Sequence, residues 1–255
     1  VRLAHRHPAA VVAIGDRLGR FDALRQRDLD QNHDLPSQHA DPHHRHQDHQ
    51  QRDQRPAQVE RQVFGEPHRQ DDRRQPMQPI DQFFPLLKQP FKAVITAHQK
   101  PDGDAMGSSL ALFHFLKQLG HDVTFISPTN WAQFLAWMPG TDQVIDFEQH
   151  REAATQLVNE ADYVFCLDFN ILHRTKHLEP IIKESKAIKI LIDHHQQPDT
   201  PSFGYGISDV KMSSTCEMIY DFIVQSGHSN LINMDIATCL YTGLMTDTGS
   251  FRFPS

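Results

Sequence analysis

Short runs of consecutive apolar residues recur between residues 77 and 255, and segments with helical periodicity separate them. The predicted strands are residues 93–97, 122–127, 144–147, 163–167 and 188–192. Strands that are apolar along most of their length are typical of parallel sheets with both faces covered. The pattern therefore predicts an α/β fold, in which a doubly wound, mostly parallel sheet carries helices on both faces.

The segments between and after these runs predict helices. They are residues 79–88 at the start of the domain, then 105–119, 148–159, 214–225 and 234–245. In the helix at 214–225, the apolar residues Met218, Ile219, Phe222 and Ile223 recur at helical spacing. We expect this face to pack against the sheet.

The first 76 residues have a different composition from the rest of the chain. Arg, Gln, His and Asp dominate them, and Lys, Thr, Cys, Tyr and Trp are absent. So few apolar residues cannot offset the entropy lost on folding, which predicts a disordered and dispensable extension. The abrupt change at Met77 also leaves open that the natural protein starts there and that residues 1–76 are not native.

Charge and cysteine content limit the function classes. The formal net charge is −7, which argues against a protein that coats nucleic acid through general basicity. Cys166, Cys216 and Cys239 each lie in an apolar run, so we expect buried free thiols in a reducing cytoplasm. No apolar run approaches the ~18 residues that span a bilayer, and no signal peptide is apparent, so we expect no membrane contact.

Polar residues with metal-binding side chains follow the apolar runs. The carboxyl ends of parallel strands meet at one edge of a sheet, so we expect these side chains to lie together there. In chain order they are His98, Asp102, Asp104, Asp168, Asp193, His194, His195 and Asp247.

Carboxylates combined with imidazoles suit Mn²⁺ or Mg²⁺, and the lack of cysteine among them argues against a structural zinc site. Two such ions about 3.5–4 Å apart can clamp a phosphoryl group and lower the pKa of a water molecule. A pair of ions needs a shared carboxylate, and Asp168, alone after its strand, is the natural bridge. A helix cap at Asp104 and a plain turn at Asp102–Gly103 are the structural alternatives for single residues.

The order and spacing of these residues resemble the four motifs of the DHH phosphoesterase superfamily. The motifs are His98-x-x-x-Asp102-x-Asp104, Asp168, Asp193-His194-His195 and Asp247. The superfamily includes RecJ-type exonucleases, family II inorganic pyrophosphatases, cyclic-dinucleotide phosphodiesterases and NrnA-type oligoribonucleases, which also dephosphorylate pAp. The segment 241–253 is most similar to the NrnA type.

The resemblance implies a role for each residue. One ion would be held by His98, Asp102 and Asp168, and the other by Asp104, Asp168, His194 and Asp247. His195 would face the substrate phosphate and act with Asp168 in catalysis, while Asp193 would orient the neighbouring imidazoles. The expected cofactor is two Mn²⁺ ions, with Mg²⁺ as the alternative.

The resemblance also implies a function and a domain organisation. The expected reaction is hydrolysis of short single-stranded oligoribonucleotides and of pAp to AMP. The alternatives are another reaction of the superfamily or a nucleotide-binding fragment without catalysis, and a homodimer is left open. Residues 77–255 correspond to the DHH domain alone, without the C-terminal DHH-associated domain, so we expect complete metal binding but weakened turnover of oligonucleotides.

Overall fold

The computed structural model describes residues 76–252. Its centre is one sheet of seven strands, and every neighbouring pair is parallel. The strands are β1 (Gln78–Pro79), β2 (Lys92–Thr96), β3 (Asp122–Ser127), β4 (Ile145–Asp146), β5 (Tyr163–Leu167), β6 (Ile188–Asp193) and β7 (Tyr205–Ser208). The predicted fold class is confirmed, whereas the predicted disorder of the N-terminal extension lies outside the described residues.

Strand order places a crevice at the centre of the sheet. The order is β1-β7-β6-β5-β2-β3-β4, so the chain proceeds outward from β2 to β4 and then returns to place β5 beside β2. Ligands of doubly wound sheets bind beyond the carboxyl ends of the strands at such a reversal. The residues that follow β2 and β5 therefore flank the expected site.

Both faces of the sheet are buried. In β5, Val164 and Cys166 belong to one apolar cluster, whereas Phe165 and Leu167 belong to the other. This alternation explains why the strand is apolar throughout, because successive side chains point to opposite faces.

Five α-helices cover the two faces. They are α1 (Gly103–Gln118), α2 (Arg151–Glu160), α3 (Glu179–Glu184), α4 (Thr215–Gln225) and α5 (Met234–Asp247). Helices α1, α4 and α5 pack on one face, and α2 and α3 pack on the other. Short 3-10 helices connect these elements at Ile80–Lys88, Gln133–Leu135, Thr141–Gln143, Leu172–Leu178, Thr200–Ser202 and Ser229–Leu231.

The structure corrects several predicted elements. The segment predicted as an ordinary helix at 79–88 is the 3-10 helix Ile80–Lys88, which contains Pro85. Proline lacks an amide hydrogen and obstructs the regular α-helical turn, which accounts for the difference. Strands β1 and β7 and helix α3 were not predicted.

Other predictions hold. Met218, Ile219, Phe222 and Ile223 are all buried in the cluster that α4 forms against the sheet. The three cysteines are buried free thiols, as expected. Within residues 76–252, no helix is both long and apolar enough to cross a membrane.

Candidate metal centre

His98 lies just after β2, with one ring nitrogen bonded to the backbone. Its Nδ1 is 2.8 Å from the carbonyl oxygen of Gln99, so Nδ1 carries the hydrogen and donates it. This leaves Nε2 directed at carboxylates, 3.4 Å from Asp168 Oδ2 and 3.9 Å from Asp102 Oδ2. Burial lowers the pKa of His98, but hydrogen bonds to Asp168 and to the Gln99 carbonyl outweigh it and raise the pKa overall.

Asp102 uses its two carboxylate oxygens differently. It is the N-cap of α1, and its Oδ1 accepts the backbone N–H groups of Asp104 and Ala105 at 3.0 and 3.1 Å. Its Oδ2 faces His98. The helix cap therefore falls on Asp102 and not on Asp104, and it leaves one oxygen of Asp102 free for an ion.

Asp104 is buried in the first turn of α1, where its carboxylate meets the start of α4. Its Oδ2 accepts the N–H of Thr215 at 2.6 Å, and its Oδ1 accepts the N–H of Cys216 at 2.9 Å. His194 Nε2 lies 4.0 Å from Asp104 Oδ2. Burial, together with the charge of Asp168, raises the pKa of Asp104 to about 8.

Asp168 is the central carboxylate of the cluster. Its Oδ2 faces His98, whereas its Oδ1 lies 3.6 Å from His194 Nε2 and accepts the Thr215 hydroxyl at 3.1 Å. Burial alone would raise the pKa of Asp168, but hydrogen bonds from His194 and His98 lower it below the ordinary value. Its φ of 62° lies in the left-handed region, a conformation that Asp tolerates better than most residues and that is common at functional sites.

His194 and His195, which follow β6, have different hydrogen-bond partners. His194 Nδ1 lies 3.2 Å from the carbonyl oxygen of Met212, which leaves Nε2 facing the carboxylates. His195 Nδ1 lies 2.7 Å from Oδ1 of the fully buried Asp193. Asp193 thus contacts only one of the two imidazoles that it was expected to orient, because the Met212 carbonyl occupies the other.

Asp247 is the last residue of α5, and its Oδ2 lies 3.6 Å from His194 Nε2. Gly243 lets α5 approach α1 closely, since a Cβ there would collide with Cys216 Sγ and lie 2.9 Å from Asp104 Oδ1. Burial raises the pKa of Asp247, while the nearby His194 opposes the rise.

The candidate ligands form three overlapping groups. His98, Asp102 and Asp168 are the first, Asp104, His194 and Asp247 are the second, and Asp168, His194 and His195 are the third, and within each group the ligand atoms lie within 4.8 Å of one another. The third group takes two of its members from the other two. With bonds of about 2.1 Å, ligand atoms on opposite sides of an ion lie roughly 4.2 Å apart, so the first two groups are close to the size that one divalent cation each requires. The buried carboxylates Asp104 and Asp168 point to the same conclusion, since burying like charges is costly unless a cation neutralises them.

Several residues that shape the cluster were not assigned a role from the sequence. They are Thr215, whose backbone and hydroxyl bind Asp104 and Asp168, and the residues that supply carbonyl groups, Gln99 and Met212. A usable signal existed for Thr215, because Ser214-x-x-Glu217 is a helix-start motif. Ser214 Oγ accepts the Glu217 N–H at 3.1 Å, and Glu217 Oε2 accepts the Ser213 N–H at 2.8 Å.

A separate cavity of about 590 Å³ lies between α4 and α5. Apolar and aromatic side chains line most of it, including Tyr220, Tyr241 and Phe251. None of the eight candidate site residues lines this cavity, so it is distinct from the candidate metal centre.

Comparison with known proteins identifies the class of protein that this fold and cluster represent. The sequence pattern described as "DHH family, N-terminal domain" matches residues 92–244, and the chain belongs to this family.

Three proteins of known sequence or structure are similar to this chain. The bifunctional oligoribonuclease and PAP phosphatase NrnA of Thermus thermophilus is 32% identical over 174 residues, which are 66% of this chain and 48% of that protein. The probable NrnA of Streptococcus mutans is 29% identical, over 64% of this chain and 47% of that protein. The crystal structure of an exopolyphosphatase-related protein from Bacteroides fragilis superposes with a TM-score of 0.67 at 41% identity, over 69% of this chain and 52% of that one. The chain thus spans about half the length of the curated relatives it matches.

Proposed function

We propose that this domain hydrolyses phosphoester bonds in short oligoribonucleotides and in pAp, using two Mn²⁺ ions, with Mg²⁺ as the alternative. The observation that carries the proposal is the pair of ligand groups joined by Asp168, whose two oxygens face different groups. The names of the NrnA relatives favour oligoribonucleotides and pAp over other phosphoesters. The proposed partners are short single-stranded RNA and nucleotides in the cytoplasm. The protein would bind them as a monomer or as a homodimer.

The side-chain geometry supports a role for each residue. When bound, the ions supply Lewis-acid stabilisation of phosphoryl oxygens and lower the pKa of a water molecule. His98 and Asp102 would hold one ion, Asp104, His194 and Asp247 the other, and Asp168 would bridge them. The backbone carbonyls bonded to His98 and His194 keep each Nε2 available as a ligand atom.

His195 would interact with the substrate and not with an ion. Its Nδ1 is bonded to Asp193, which leaves Nε2 for another partner, and the side chain is 37% exposed. A protonated Nε2 can donate a hydrogen bond to a phosphoryl oxygen or a proton to the leaving oxygen. Through its hydrogen bond to Nδ1, Asp193 would orient the ring for this contact.

We further propose residues 77–255 as the functional DHH domain and residues 1–76 as a dispensable extension. Deletion of residues 1–76 should leave metal content and melting temperature unchanged.

The test of the function compares substrates on one preparation. Protein stripped with a chelator and reloaded with Mn²⁺ or Mg²⁺ is assayed on pAp, a diribonucleotide, pyrophosphate and 4-nitrophenyl phosphodiesters. The activated diester depends least on binding contacts remote from phosphorus, so it reports the metal centre itself. Turnover of pAp and the dinucleotide above pyrophosphate supports the proposal. Preferential pyrophosphate hydrolysis would assign a different reaction, and nucleotide binding without any turnover would leave a binding module.

A further inference from the structure

One arginine contacts the backbone of Asp168 and is not used in the function described above. Arg174 Nη1 is 3.4 Å from the backbone carbonyl oxygen of Asp168, and the side chain is partly buried. The residue belongs to the 3-10 helix Leu172–Leu178, which follows β5 and Asp168 in the chain.

The backbone of Arg174 is fixed as well. Its carbonyl oxygen accepts the N–H of Gln99 at 2.8 Å, and its own N–H donates to the Ile171 carbonyl at 3.1 Å. Gln99 is adjacent to His98, so Arg174 joins the two loops that carry His98 and Asp168. These bonds fix the backbone of Arg174 relative to the loop of His98, and the contact with the Asp168 carbonyl places its guanidinium near the start of the second loop.

The charge of Arg174 is not neutralised locally. Its neighbours are paired, His173 with Glu179 and Lys176 with Glu148, but within residues 76–252 Arg174 has no carboxylate within ion-pair distance. A guanidinium has five N–H donors, and among the described residues only one contact, with the Asp168 carbonyl, involves them.

The charge balance of the metal centre indicates a phosphate group as the binding partner of Arg174. The carboxylates of Asp102, Asp104, Asp168 and Asp247 together offset the charge of two divalent cations. A phosphate group that enters the centre therefore brings negative charge that the cluster does not already balance. Guanidinium groups match the geometry of phosphate oxygens and bind them through parallel hydrogen bonds.

We propose that Arg174 binds a non-bridging oxygen of the phosphate group held beside His98, Asp102 and Asp168. It selects substrates for an anionic phosphate at that position. The inference rests on the proposed function, since it names a group that recognises the substrate of the same site. If the role of Arg174 were purely structural, its side chain would serve only to bind the Asp168 carbonyl and would not bind phosphate.

The first experiment measures inorganic phosphate binding to the Mn²⁺-loaded protein by calorimetry, which requires no turnover. Arg174→Gln keeps an N–H donor for the Asp168 carbonyl but removes the charge, and it should weaken phosphate binding about tenfold or more with unchanged manganese content. Arg174→Lys should recover part of the affinity. Arg151→Gln is the matched control, because the Arg151 guanidinium lies over the Phe147 ring on α2, and it should bind phosphate like the unmodified protein. Unchanged affinity in Arg174→Gln, or a loss of manganese, would overturn the proposal.

A second measurement uses the unmodified chain and does not depend on how any variant folds. Phenylglyoxal modifies accessible guanidinium groups, and peptide mass spectrometry reports each arginine separately. Saturating phosphate should protect Arg174 and leave the modification of Arg151 unchanged, whereas modification of Arg174 at the same rate with and without phosphate would refute the assignment. If phosphate binds through Arg174 but no phosphoester is hydrolysed, the proposed function fails while this contact stands.

Discussion

The carboxylate of Asp104 accepts the first backbone N–H of helix α4, that of Thr215, at 2.6 Å, although the two residues are 111 positions apart. The same carboxylate belongs to the second candidate ligand group. Its charge is thus stabilised by a helix N-terminus while burial and the charge of Asp168 oppose ionisation, and the pKa is raised to about 8. Ion binding and proton release should therefore be coupled at this residue.

We predict that Mn²⁺ affinity rises with pH from about pH 6 to about pH 9. Asp104, and also His194 with a pKa raised to about 9 through its hydrogen bond to Asp168, must lose their protons before they can bind an ion. Each displaced proton changes the affinity by about tenfold per pH unit below its pKa. Calorimetry in buffers with different ionisation enthalpies measures the protons released. Affinity independent of pH over this range would contradict the coupling.

The raised pKa values of Asp104 and His194 also determine how the stability of the metal-free protein changes with pH. Both pKa values are higher in the folded protein than their ordinary values of 3.8 and 6.5, so the folded state binds more protons. Their contribution to stability is complete below those ordinary values and is lost as the pH rises through about 8 and about 9. The melting temperature of chelator-treated protein should fall across this window, and saturating Mn²⁺ should remove the fall.

A third prediction concerns Asp168, whose oxygens face the first and the second ligand group. Asp168→Asn preserves the left-handed backbone, which Asn tolerates, but removes the charge. We expect it to abolish tight binding of both ions, whereas Asp247→Asn should weaken one. Elemental analysis after gel filtration counts the bound ions. Two tightly held ions in the Asp168 variant would show that it does not bridge them.

The sequence predicts the central strands well because their signal is local. Residues 163–167 form an apolar run buried on both faces, and such a run identifies a strand without any tertiary information. Strand β7 was missed because it has four residues, including Gly206, and no clear apolar pattern. Its position depends on close approach to β6, where a Cβ on Gly206 would lie 2.6 Å from the Leu191 carbonyl oxygen.

In the candidate site, too, features with a local sequence signal were predicted and features that depend on tertiary contacts were not. The order of Asp and His residues after apolar runs was sufficient to predict which side chains the fold brings together. The carbonyl groups that orient His98 and His194 have no residue-specific signature, because any amino acid at Gln99 or Met212 would supply one. The role of Arg174 was equally hidden, since it depends on a contact with the backbone of Asp168.

A fourth prediction tests the packing of α4. Phe222 is 3% exposed and meets the rings of Phe84 and Phe115 at centroid distances of 5.4 and 6.2 Å. Phe222→Ala should lower the free energy of unfolding by about 3–5 kcal/mol. Tyr220 on the same helix is 48% exposed, and Tyr220→Ala should cost roughly 1 kcal/mol or less. Chemical denaturation compares the two variants, and equal losses would place Phe222 outside the core.

The last prediction separates His195 from the ion ligands through its partner. Asp193 is fully buried, and its Oδ1 lies 2.7 Å from His195 Nδ1. Asp193→Asn replaces the carboxylate that accepts the Nδ1 hydrogen with a neutral amide, which weakens the hydrogen bond that orients the ring and directs Nε2 at the substrate. We expect kcat on a 4-nitrophenyl phosphodiester to fall about 10–100-fold, with KM and manganese content nearly unchanged.

The double variant decides whether Asp193 acts through His195. If it does, Asp193→Asn should add little to the loss caused by His195→Gln, because both changes remove one shared interaction. His173→Gln is the control, since that imidazole is 83% exposed and paired with Glu179 away from the cluster. Additive losses in the double variant would show that Asp193 does not act through His195, and a loss of manganese in either single variant would make that residue part of the metal centre.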